Sequence, residues 1–405
     1  MRNLSKRQQI YIFLTTTSTL FLRNIPLICS MSSSASSAVM KIRVCSYNVL
    51  SSALASPTHF TSCDPDDLDF HKRLPRVISK IEEEVSKRSI VCLQEVSHEF
   101  SGPLHVFFAK NNYNFVTGLY GSRFSNYMGV ALAIPLDKFS LEHVDVSTLS
   151  DYREGGWPKA PPEELPIVIA LAKQAVSNVV IRPLRWMSKK ATSIVSLLSS
   201  DEPYIVKLLK GADDQADHWD LSKKRKNMLV FAKLVEKKSK RTFGIATYHM
   251  PCAFYAPMVM NIHVEMAVRR TQTLSGTDCP CILAGDFNLK PGSPEYKLIT
   301  TGKLDEEDAS YPSPKYDVTW VPAIEPMKSA YAQCLGSEPD FTNYSKVRDD
   351  LPFVDVLDYI FVSKDWDVSG VKDLPHRDDI EGPLPIAEEP SDHILIASDL
   401  VLVED

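Results

Sequence analysis

The sequence predicts an α+β fold in which two β-sheets pack together and helices flank them. Several short apolar segments have the composition of strands, and each ends in or carries a polar residue. Between some of these segments, apolar residues recur at helical spacing, as they do in residues 70–87. The length of 405 residues allows one large domain or two ordinary ones. We expect one domain from residue 41 to residue 405, interrupted by a single insert.

The other elements follow from the same two patterns. Strands are predicted at residues 113–117, 130–134, 228–235 and 241–247, and helices at residues 102–110 and 257–273. A further helix is predicted to begin after Ser293, which suits an N-cap, with Pro294 at its first position. In the helix predicted at residues 70–87, we expect Pro75 in the first turn.

The segment at residues 281–288 (Cys-Ile-Leu-Ala-Gly-Asp-Phe-Asn) is the one around which we expect a functional site. Its apolar residues predict the end of a buried strand, and Gly285 predicts a turn. On an extended segment Asp286 and Asn288 would share a face, which places a carboxylate beside an amide. That pair suits a reaction on phosphate, because the carboxylate can deprotonate a water while the amide donates to phosphoryl oxygens. An ordinary strand-end turn remains the alternative, since all three residue types form turns.

Other predicted strands end in the same way. Polar residues of this kind follow or lie within these strands: Asn48 in Lys41–Asn48, Glu95 in residues 90–95, His249 in residues 243–249, Asp358 in residues 356–361, and Asp392 and His393 before the last strand. Each has a structural alternative, such as a turn cap, a surface ion pair or a histidine satisfied within the fold. Their recurrence at strand ends in one chain favours a shared site.

Together these segments resemble the endonuclease/exonuclease/phosphatase superfamily, which includes deoxyribonuclease I and the abasic-site endonucleases. The motifs that carry the resemblance are, in order, Asn48, Leu-Gln-Glu95, Thr-Tyr-His249, Gly-Asp286-Phe-Asn288, Leu-Asp358-Tyr and Ser-Asp392-His393. The C-terminal part, with Phe341-Thr-Asn-Tyr344 and Phe353, is similar to the branch of carbon-catabolite-repressor-4 type deadenylases, nocturnin and angel. The resemblance covers residues 41–140 and 225–403. It implies a four-layer α/β sandwich of two mixed, mostly antiparallel sheets.

The resemblance also implies a metal site. Glu95 would be the principal Mg²⁺ ligand, Asn48 would lie beside it, and Asp392 would complete the metal environment. Carboxylate and amide oxygens suit a hard cation such as Mg²⁺ or Mn²⁺ rather than Zn²⁺. Such a cation polarises a phosphoryl oxygen and screens charge, so that water can attack in line.

The remaining matched residues would act on the phosphate itself. The resemblance implies that Asp286 activates the attacking water and that Asn288 holds the phosphate in its transition state. His249 would donate to a phosphate oxygen. His393 would contact the phosphate, and Asp358 would orient His393.

Substrate residues are predicted at Phe353, Asn343 and Asn126. Asn126 lies in a segment that fits either a substrate loop or an ordinary hairpin loop. The chain departs from the branch at two places where a base would bind: Phe254 replaces a proline that helps to clamp adenine, and Tyr127 begins a segment that replaces an Asp-Gly pair. A preference for poly(A) therefore does not follow from the resemblance, although the hydrolytic chemistry does.

Charge and cysteine usage set bounds on function and location. The formal net charge is −6, so no global basic field attracts nucleic acid, and such a substrate would need a local basic groove or a single-stranded end. The eight cysteines form no regular framework, and Cys279-Pro-Cys281 is not a zinc spacing. This usage indicates a reducing compartment.

Residues 1–40 have the composition of a leader. They contain no acidic residue and four basic ones, Arg2, Lys6, Arg7 and Arg23. This composition predicts a mitochondrial transit peptide. A secretory signal with residues 10–14 as its apolar core is the rival interpretation, and initiation at Met31 or Met40 would give a cytoplasmic protein.

Residues 141–222 do not match the superfamily and are predicted as an insert. Residues 165–200 carry five basic residues and no acidic one, in apolar surroundings that are short for a membrane span. We expect amphipathic helices that form a flap on the domain surface. Contact with a membrane surface or with nucleic acid is the alternative.

The sequence thus predicts a monomeric, Mg²⁺-dependent phosphodiesterase that acts on the 3′ ends of single-stranded RNA as an exonuclease. A phosphomonoesterase acting on a nucleotide or inositol phosphate would use the same site chemistry. A sphingomyelinase-like lipid phosphodiesterase is supported only by the apolar insert. A scaffold without activity is disfavoured, because no expected catalytic position is lost.

Overall fold

The computed structural model describes residues 39–121, 127–161 and 217–403. The predicted leader up to residue 38, the predicted substrate residue Asn126 and most of the predicted insert, residues 162–216, lie outside these ranges. The mitochondrial location, the helical flap and its membrane contact therefore stay predictions. Within the described ranges, none of the helices combines the length and the apolarity needed to cross a membrane.

The first sheet has six strands in the described residues. Their order is β13 (Trp366–Val371), β14 (Ile396–Leu402), β1 (Lys41–Asn48), β2 (Ile90–Gln94), β4 (Met128–Pro135) and β3 (Tyr113–Tyr120). β1 and β2 are parallel, and the other neighbours are antiparallel. The sheet is thus mixed and mostly antiparallel.

The second sheet repeats this plan. Its order is β5 (Phe139–Thr148), β6 (Met228–Glu236), β7 (Thr242–His249), β8 (Cys281–Asp286), β12 (Asp358–Val362) and β9 (Lys328–Ser329). Here β7 and β8 form the parallel pair. A separate short ribbon joins β10 (Asn343–Ser345) to β11 (Phe353–Asp355).

Helices cover the outer faces of both sheets. The helices of the described residues are, in chain order, α1 (Pro65–Leu68), α2 (Phe70–Ser86), α3 (His98–Lys110), α4 (His218–Lys224), α5 (Pro257–Ser275), α6 (Pro294–Thr301) and α7 (Ala330–Leu335). One buried apolar cluster joins α2 and α3 to the first sheet, a second fills the space between the sheets, and a third joins α5 and α6 to the second sheet. The predicted four-layer α/β sandwich is confirmed.

The two parallel pairs determine where the strand ends meet. Parallel neighbours need a crossover, and α2 supplies it between β1 and β2 while α5 supplies it between β7 and β8. The carboxyl ends of each pair therefore lie at one edge of their sheet. Gln94 Nε2 donates to Thr247 Oγ1 at 3.0 Å across the interface, so the two edges lie at the same end of the sandwich.

Local differences from the predicted elements have simple causes. α2 begins at Phe70, because the Asp69 side chain caps the amides of His71 and Lys72, so Pro75 lies beyond the first turn and that expectation is wrong. α3 begins earlier than predicted, after the N-cap Ser97. The Ser293 cap and Pro294 at the first position are as predicted.

The predicted start of the insert at residue 141 is too early. β5 runs from Phe139 to Thr148 and pairs with β6 along its length, so this segment is an edge strand of the second sheet. α4 at the other end of the predicted insert packs on the same sheet's helical layer, where Trp219 is fully buried. The strand was missed because its partner β6 follows only after the long insert.

Candidate active site

Asn48 links the two sheets at the common edge. It is the last residue of β1, and its amide nitrogen donates to Asp286 Oδ2 at 2.9 Å and to Glu95 Oε1 at 3.2 Å. The same nitrogen lies 3.5 Å from His393 Nε2, while Asn48 Oδ1 accepts from the Leu50 amide at 3.0 Å. Three other predicted site residues, Glu95, Asp286 and His393, thus meet around the buried side chain of Asn48. In this arrangement Asn48 donates to carboxylates, and its role as a metal ligand stays a prediction.

Glu95 follows β2 in an unusual backbone conformation. Its φ of +58° lies in the left-handed region, which is unfavourable for a side chain with a Cβ. The carboxylate is buried, and its Oε2 accepts from the Ser51 amide at 2.8 Å. Residues held in this region concentrate at functional sites, where the surrounding structure maintains them. The conformation directs the Glu95 carboxylate to the Asn48 amide.

Asp286 ends β8 and is contacted by two histidines. Its Oδ2 lies 3.4 Å from His249 Nε2 and 3.7 Å from His393 Nε2, in addition to the bond from Asn48. Its Oδ1 accepts from the Asn288 amide at 3.0 Å. The carboxylate is therefore held in one orientation with only 2% of the residue exposed.

The expectation that Asp286 and Asn288 share one face of an extended segment is wrong. Asn288 has a φ of +49°, so the chain turns after Asp286, and the Asn288 amide side chain donates to Met250 O at 3.0 Å. Gly285 lies within β8 and makes no turn. A Cβ at Gly285 would lie 1.9 Å from the carbonyl oxygen of Tyr248, so the close approach of β7 requires glycine there. The two polar residues are adjacent through a turn in which Asp286 accepts from the Asn288 backbone.

Asp358 and His393 form a buried hydrogen-bonded pair. His393 Nδ1 lies 2.7 Å from Asp358 Oδ2, and the Asp358 amide donates to Thr342 Oγ1. Burial opposes a charged imidazole, but the carboxylates of Asp358, Asp286 and Asp392 raise the pKa of His393 well above its usual range. With Nδ1–H donated to Asp358, a protonated His393 presents Nε2–H towards Asp286.

Asp392 has spare acceptor capacity beside Glu95. Its Oδ1 is buried and accepts no hydrogen bond from the described residues, while Asn343 Nδ2 donates to the Asp392 carbonyl at 3.1 Å and lies 3.4 Å from Oδ2. Burial raises the pKa of Asp392 to about 6; the Glu95 carboxylate adds to the shift and His393 opposes it. A cation near Glu95 and Asp392 would offset the effect of burial on Asp392 and the repulsion between the two carboxylates.

The donor set fits a hard divalent cation. Glu95 and Asp392 offer carboxylate oxygens, and each oxygen has lone pairs beyond the hydrogen bonds described. Among the described residues, ligand atoms within 4.8 Å of one another are those of Asp286, Asp358 and His393. In that grouping His393 Nδ1 is already bonded to Asp358, which leaves the Glu95 side of the site as the better cation position.

Sequence reasoning missed Arg73, which holds two site loops together. This arginine of α2 is fully buried, and it donates to Val49 O, Leu50 O and Pro390 O at 2.6, 2.8 and 2.8 Å. The first two carbonyls follow Asn48, and Pro390 precedes Asp392. Its spacing of four residues from Val77, on the buried face of α2, was the available signal.

The three predicted substrate residues lie in different surroundings. Phe353 is half-buried on β11, with Lys290 Nζ 4.8 Å above its ring and the exposed Phe254 ring 6.3 Å away. Asn343 is buried and its amide contacts Asp392, so its predicted substrate contact stays a prediction. Asn126 lies outside the described residues.

Comparison with known proteins shows to which family the chain belongs. A model of the Endonuclease/Exonuclease/phosphatase family matches residues 45–393. The chain belongs to this family. The superfamily predicted from the six motifs is thereby confirmed.

Curated relatives of the chain include a 3'-5'-exoribonuclease subunit. It is 25% identical over 385 residues to the CCR4-Not complex 3'-5'-exoribonuclease subunit Ccr4 of Aspergillus niger, which covers 91% of this chain and 53% of that protein. The chain thus spans about half the length of the curated relatives it matches.

Solved structures show the same fold. ANGEL2, described as a 2',3'-cyclic phosphatase, aligns with a TM-score of 0.61 and 18% identity over 90% of this chain and 96% of that one. The human Nocturnin catalytic domain aligns with a TM-score of 0.53 and 18% identity over 90% and 95%. The predicted resemblance to the branch of carbon-catabolite-repressor-4, nocturnin and angel proteins is confirmed.

Proposed function

We propose that this chain is a Mg²⁺-dependent phosphodiesterase that hydrolyses single-stranded RNA from its 3′ end. The observation that carries the proposal is the convergence of His249, His393 and Asn48 on one oxygen of Asp286, beside Glu95. A carboxylate surrounded by donors suits the activation of water next to a phosphate. The 3'-5'-exoribonuclease activity named for the Aspergillus niger relative supports RNA as the substrate.

The chain's own residues account for the proton and charge steps. Asp286 is ordered by the Asn48 and Asn288 donors, so it can accept a proton from a water that attacks phosphorus. His249 and His393 present Nε2 atoms at the same place, where they can donate to phosphate oxygens as charge develops, and the protonated His393 can supply a proton to the oxygen that leaves phosphorus. Asp358 keeps His393 oriented and favours its charged form.

Glu95 and Asp392 would hold the cation. When bound there, Mg²⁺ would supply polarisation of the phosphoryl oxygen and neutralise part of the negative charge of the substrate. Within the site, Arg73 keeps the loops that carry Asn48 and Asp392 at a constant separation. This positions the cation side of the site without a contact to substrate.

The base next to the scissile phosphate would contact two aromatic rings. Phe254 and Phe353 lie at a tilt of 45°, and Lys290 covers the Phe353 ring while pairing with Asp355 at 2.8 Å. Aromatic faces stack on any base and give little base preference. We therefore propose RNA without a strong preference for adenine.

A substrate panel tests the proposal. The full-length protein with Mg²⁺ is offered 3′-labelled and 5′-labelled RNA, DNA, NADPH and inositol phosphates side by side. We expect 5′-labelled RNA to shorten progressively from its 3′ end, and EDTA to stop the reaction with recovery on added Mg²⁺. The Asp286→Asn variant, which keeps the shape of the side chain, is the matched control for a contaminating nuclease.

Two results would contradict the proposal. Hydrolysis of NADPH or an inositol phosphate without hydrolysis of RNA would make the chain a phosphomonoesterase that uses the same residues. Activity that survives EDTA at the wild-type rate would remove the metal from the mechanism.

A further inference from the structure

We propose that a basic surface beside the catalytic residues binds the backbone of single-stranded RNA upstream of the scissile phosphate. The basic surface consists of the consecutive residues Lys223, Lys224, Arg225 and Lys226 together with Tyr255. The inference rests on the proposed function, because the ligand of this surface would be the part of an RNA substrate that extends beyond the catalytic residues. The chain as a whole is acidic, with a net charge of −6, so this run is a local exception.

Hydrogen bonds fix the basic surface next to the site. Asn227, the residue after the run, donates from its side chain to the carbonyl oxygen of His249 at 2.9 Å. On the other side, Ser150 Oγ donates to the carbonyl of Arg225 at 2.7 Å. The run therefore holds a constant position relative to His249, whose imidazole approaches Asp286.

The side chains of the basic surface are available to a ligand. Lys223 and Lys224 are exposed at the end of α4, and Lys226 is exposed two residues after it. Among the described residues, Lys226 makes one ion pair, an exposed contact with Asp151 at 3.4 Å. Exposed pairs of this kind contribute little and exchange readily with another anion. Three ammonium groups thus lie within one short segment beside the mouth of the site.

Tyr255 adds an aromatic face to this surface. It lies six residues after His249, remains 53% exposed, and its hydroxyl accepts from the Arg225 guanidinium at 2.6 Å. The hydrogen bond fixes the ring beside the basic run. Basic groups that follow a backbone, interleaved with aromatic rings on which bases stack, are the pattern by which proteins bind single strands without sequence preference.

The opposite end of the same hairpin supplies a matched control. Lys237, Lys238 and Lys240 are exposed in the turn between β6 and β7. β6 pairs with β7 so that Leu229 faces Tyr248 and Val235 faces Thr242, which puts this turn at the end far from His249. Neutralising either set of three lysines changes the net charge equally.

The experiment compares two triple variants of the full-length protein, Lys223→Gln/Lys224→Gln/Lys226→Gln and Lys237→Gln/Lys238→Gln/Lys240→Gln. Binding of a labelled RNA of about 20 nucleotides is measured by fluorescence anisotropy in EDTA, and the Michaelis constant is measured with Mg²⁺ for that RNA and for a trinucleotide. Tyr255→Ala is measured in parallel.

We expect the first triple variant to bind the long RNA about tenfold more weakly, and the slope of log affinity against log salt to fall by about 2. The turnover number and the trinucleotide kinetics should stay near wild type. Tyr255→Ala should weaken binding of the long RNA by about tenfold through lost stacking. The 237–240 control should match wild type in every measurement.

The outcomes separate this inference from the proposed function. RNA binding that weakens equally in both triple variants, or in neither, overturns the basic surface even if RNA is hydrolysed. Binding that weakens only in the 223–226 variant supports the surface even if RNA is not hydrolysed, and then the proposed activity alone fails. Binding to anionic phosphatidylserine vesicles is measured by sedimentation for the same variants. If the 223–226 variant loses vesicle binding but keeps RNA binding, the inference is overturned in favour of a membrane contact.

Discussion

The two ends of the sheet sandwich differ in how their charges are satisfied. At the far end, Arg43 of β1 donates to Glu84 at 2.7 Å and to Asp399 at 2.6 Å, so each charge has a partner. At the catalytic end, the carboxylates of Asp286 and Asp392 lie close to others of the same sign. Buried oxygens of Asp358 and Asp392 also accept no hydrogen bond from the described residues.

The difference teaches which end serves stability and which serves a ligand. At the far end, burial opposes ionisation of Glu84, but hydrogen bonds from Arg43 and Ser89 lower its pKa. At the catalytic end, burial raises the pKa of Asp392 to about 6 because compensation within the protein is incomplete. A fold retains such groups when a bound cation or substrate completes them. Substitutions at the two ends should therefore have opposite consequences.

The largest effect is expected at Asp286. Asp286→Asn removes the proton acceptor while keeping its shape, so we expect hydrolysis to fall by about 10³-fold or more. The free energy of unfolding should change little, since relief of repulsion from other carboxylates offsets the hydrogen bond lost where the new NH₂ group faces a donor. Steady-state kinetics and urea unfolding measure the two. Near-wild-type turnover in a folded variant would show that the site assignment is wrong.

The next effect concerns the pair of Asp358 and His393. His393→Ala should lower turnover by about 10²-fold, because one donor to the phosphate is lost. The double variant Asp358→Ala/His393→Ala should be scarcely slower, since a carboxylate that only orients a histidine has nothing left to orient. The four turnover numbers form a double-mutant cycle. Additive losses would mean that Asp358 acts independently.

The third effect belongs to the far end. Glu84→Gln leaves Arg43 without its buried partner, so we expect the free energy of unfolding to fall by about 3 kcal/mol with unchanged turnover. Asp399→Asn is the matched control, because its side chain is 49% exposed and its pair with Arg43 should contribute about 0.5 kcal/mol. A loss of activity in stably folded Glu84→Gln would break the division between the two ends.

The positions of the strand ends could be predicted from the sequence because each polar residue follows a visible apolar run. Asn48, Glu95, His249 and Asp286 were found in this way, and the structure brings Asn48 into contact with Glu95 and Asp286. The spacing of residues along a strand is a local property, and so is the composition of a helix. Their roles as ligands or catalytic groups stay predictions.

What failed depended on contacts that are distant in sequence. Gly285 suggested a turn, yet its reason is the carbonyl of Tyr248 on the neighbouring strand. An arginine in a helix is usually a surface residue, whereas Arg73 is buried and donates to the carbonyl of Pro390, which lies more than three hundred residues later. β5 could not be distinguished from the insert, because Thr148 pairs with Met228 beyond it. Single-residue chemistry does not encode such partners.

The smallest effect is expected at His263, a residue near the catalytic end whose hydrogen-bonding groups are all paired, as they are at the far end. His263 of α5 is fully buried just behind the catalytic strand β7, but it is satisfied: Nδ1 lies 2.9 Å from the Tyr248 hydroxyl and Nε2 lies 3.1 Å from Ser222 O. Since a carbonyl only accepts, Nε2 carries the proton and Nδ1 accepts from the tyrosine. Both nitrogens are used by the neutral ring. Burial lowers the pKa of His263 to about 4.

The sign of the resulting pH dependence follows from that shift. Above pH 6.5 the ring is neutral in both states, whereas between about pH 6.5 and pH 4 the unfolded chain binds a proton that the folded protein does not. Stability should therefore fall as pH falls, by about 2 kcal/mol at about pH 5 from this group alone. Urea unfolding of wild type and His263→Gln at about pH 7 and about pH 5 isolates it. We expect the variant, although less stable at neutral pH, to lose about 2 kcal/mol less on acidification. An equal loss in both proteins would mean that His263 binds a proton in the folded protein at about pH 5, as it does in the unfolded chain. The hydrogen bonds to its two ring nitrogens would then not keep the folded ring neutral.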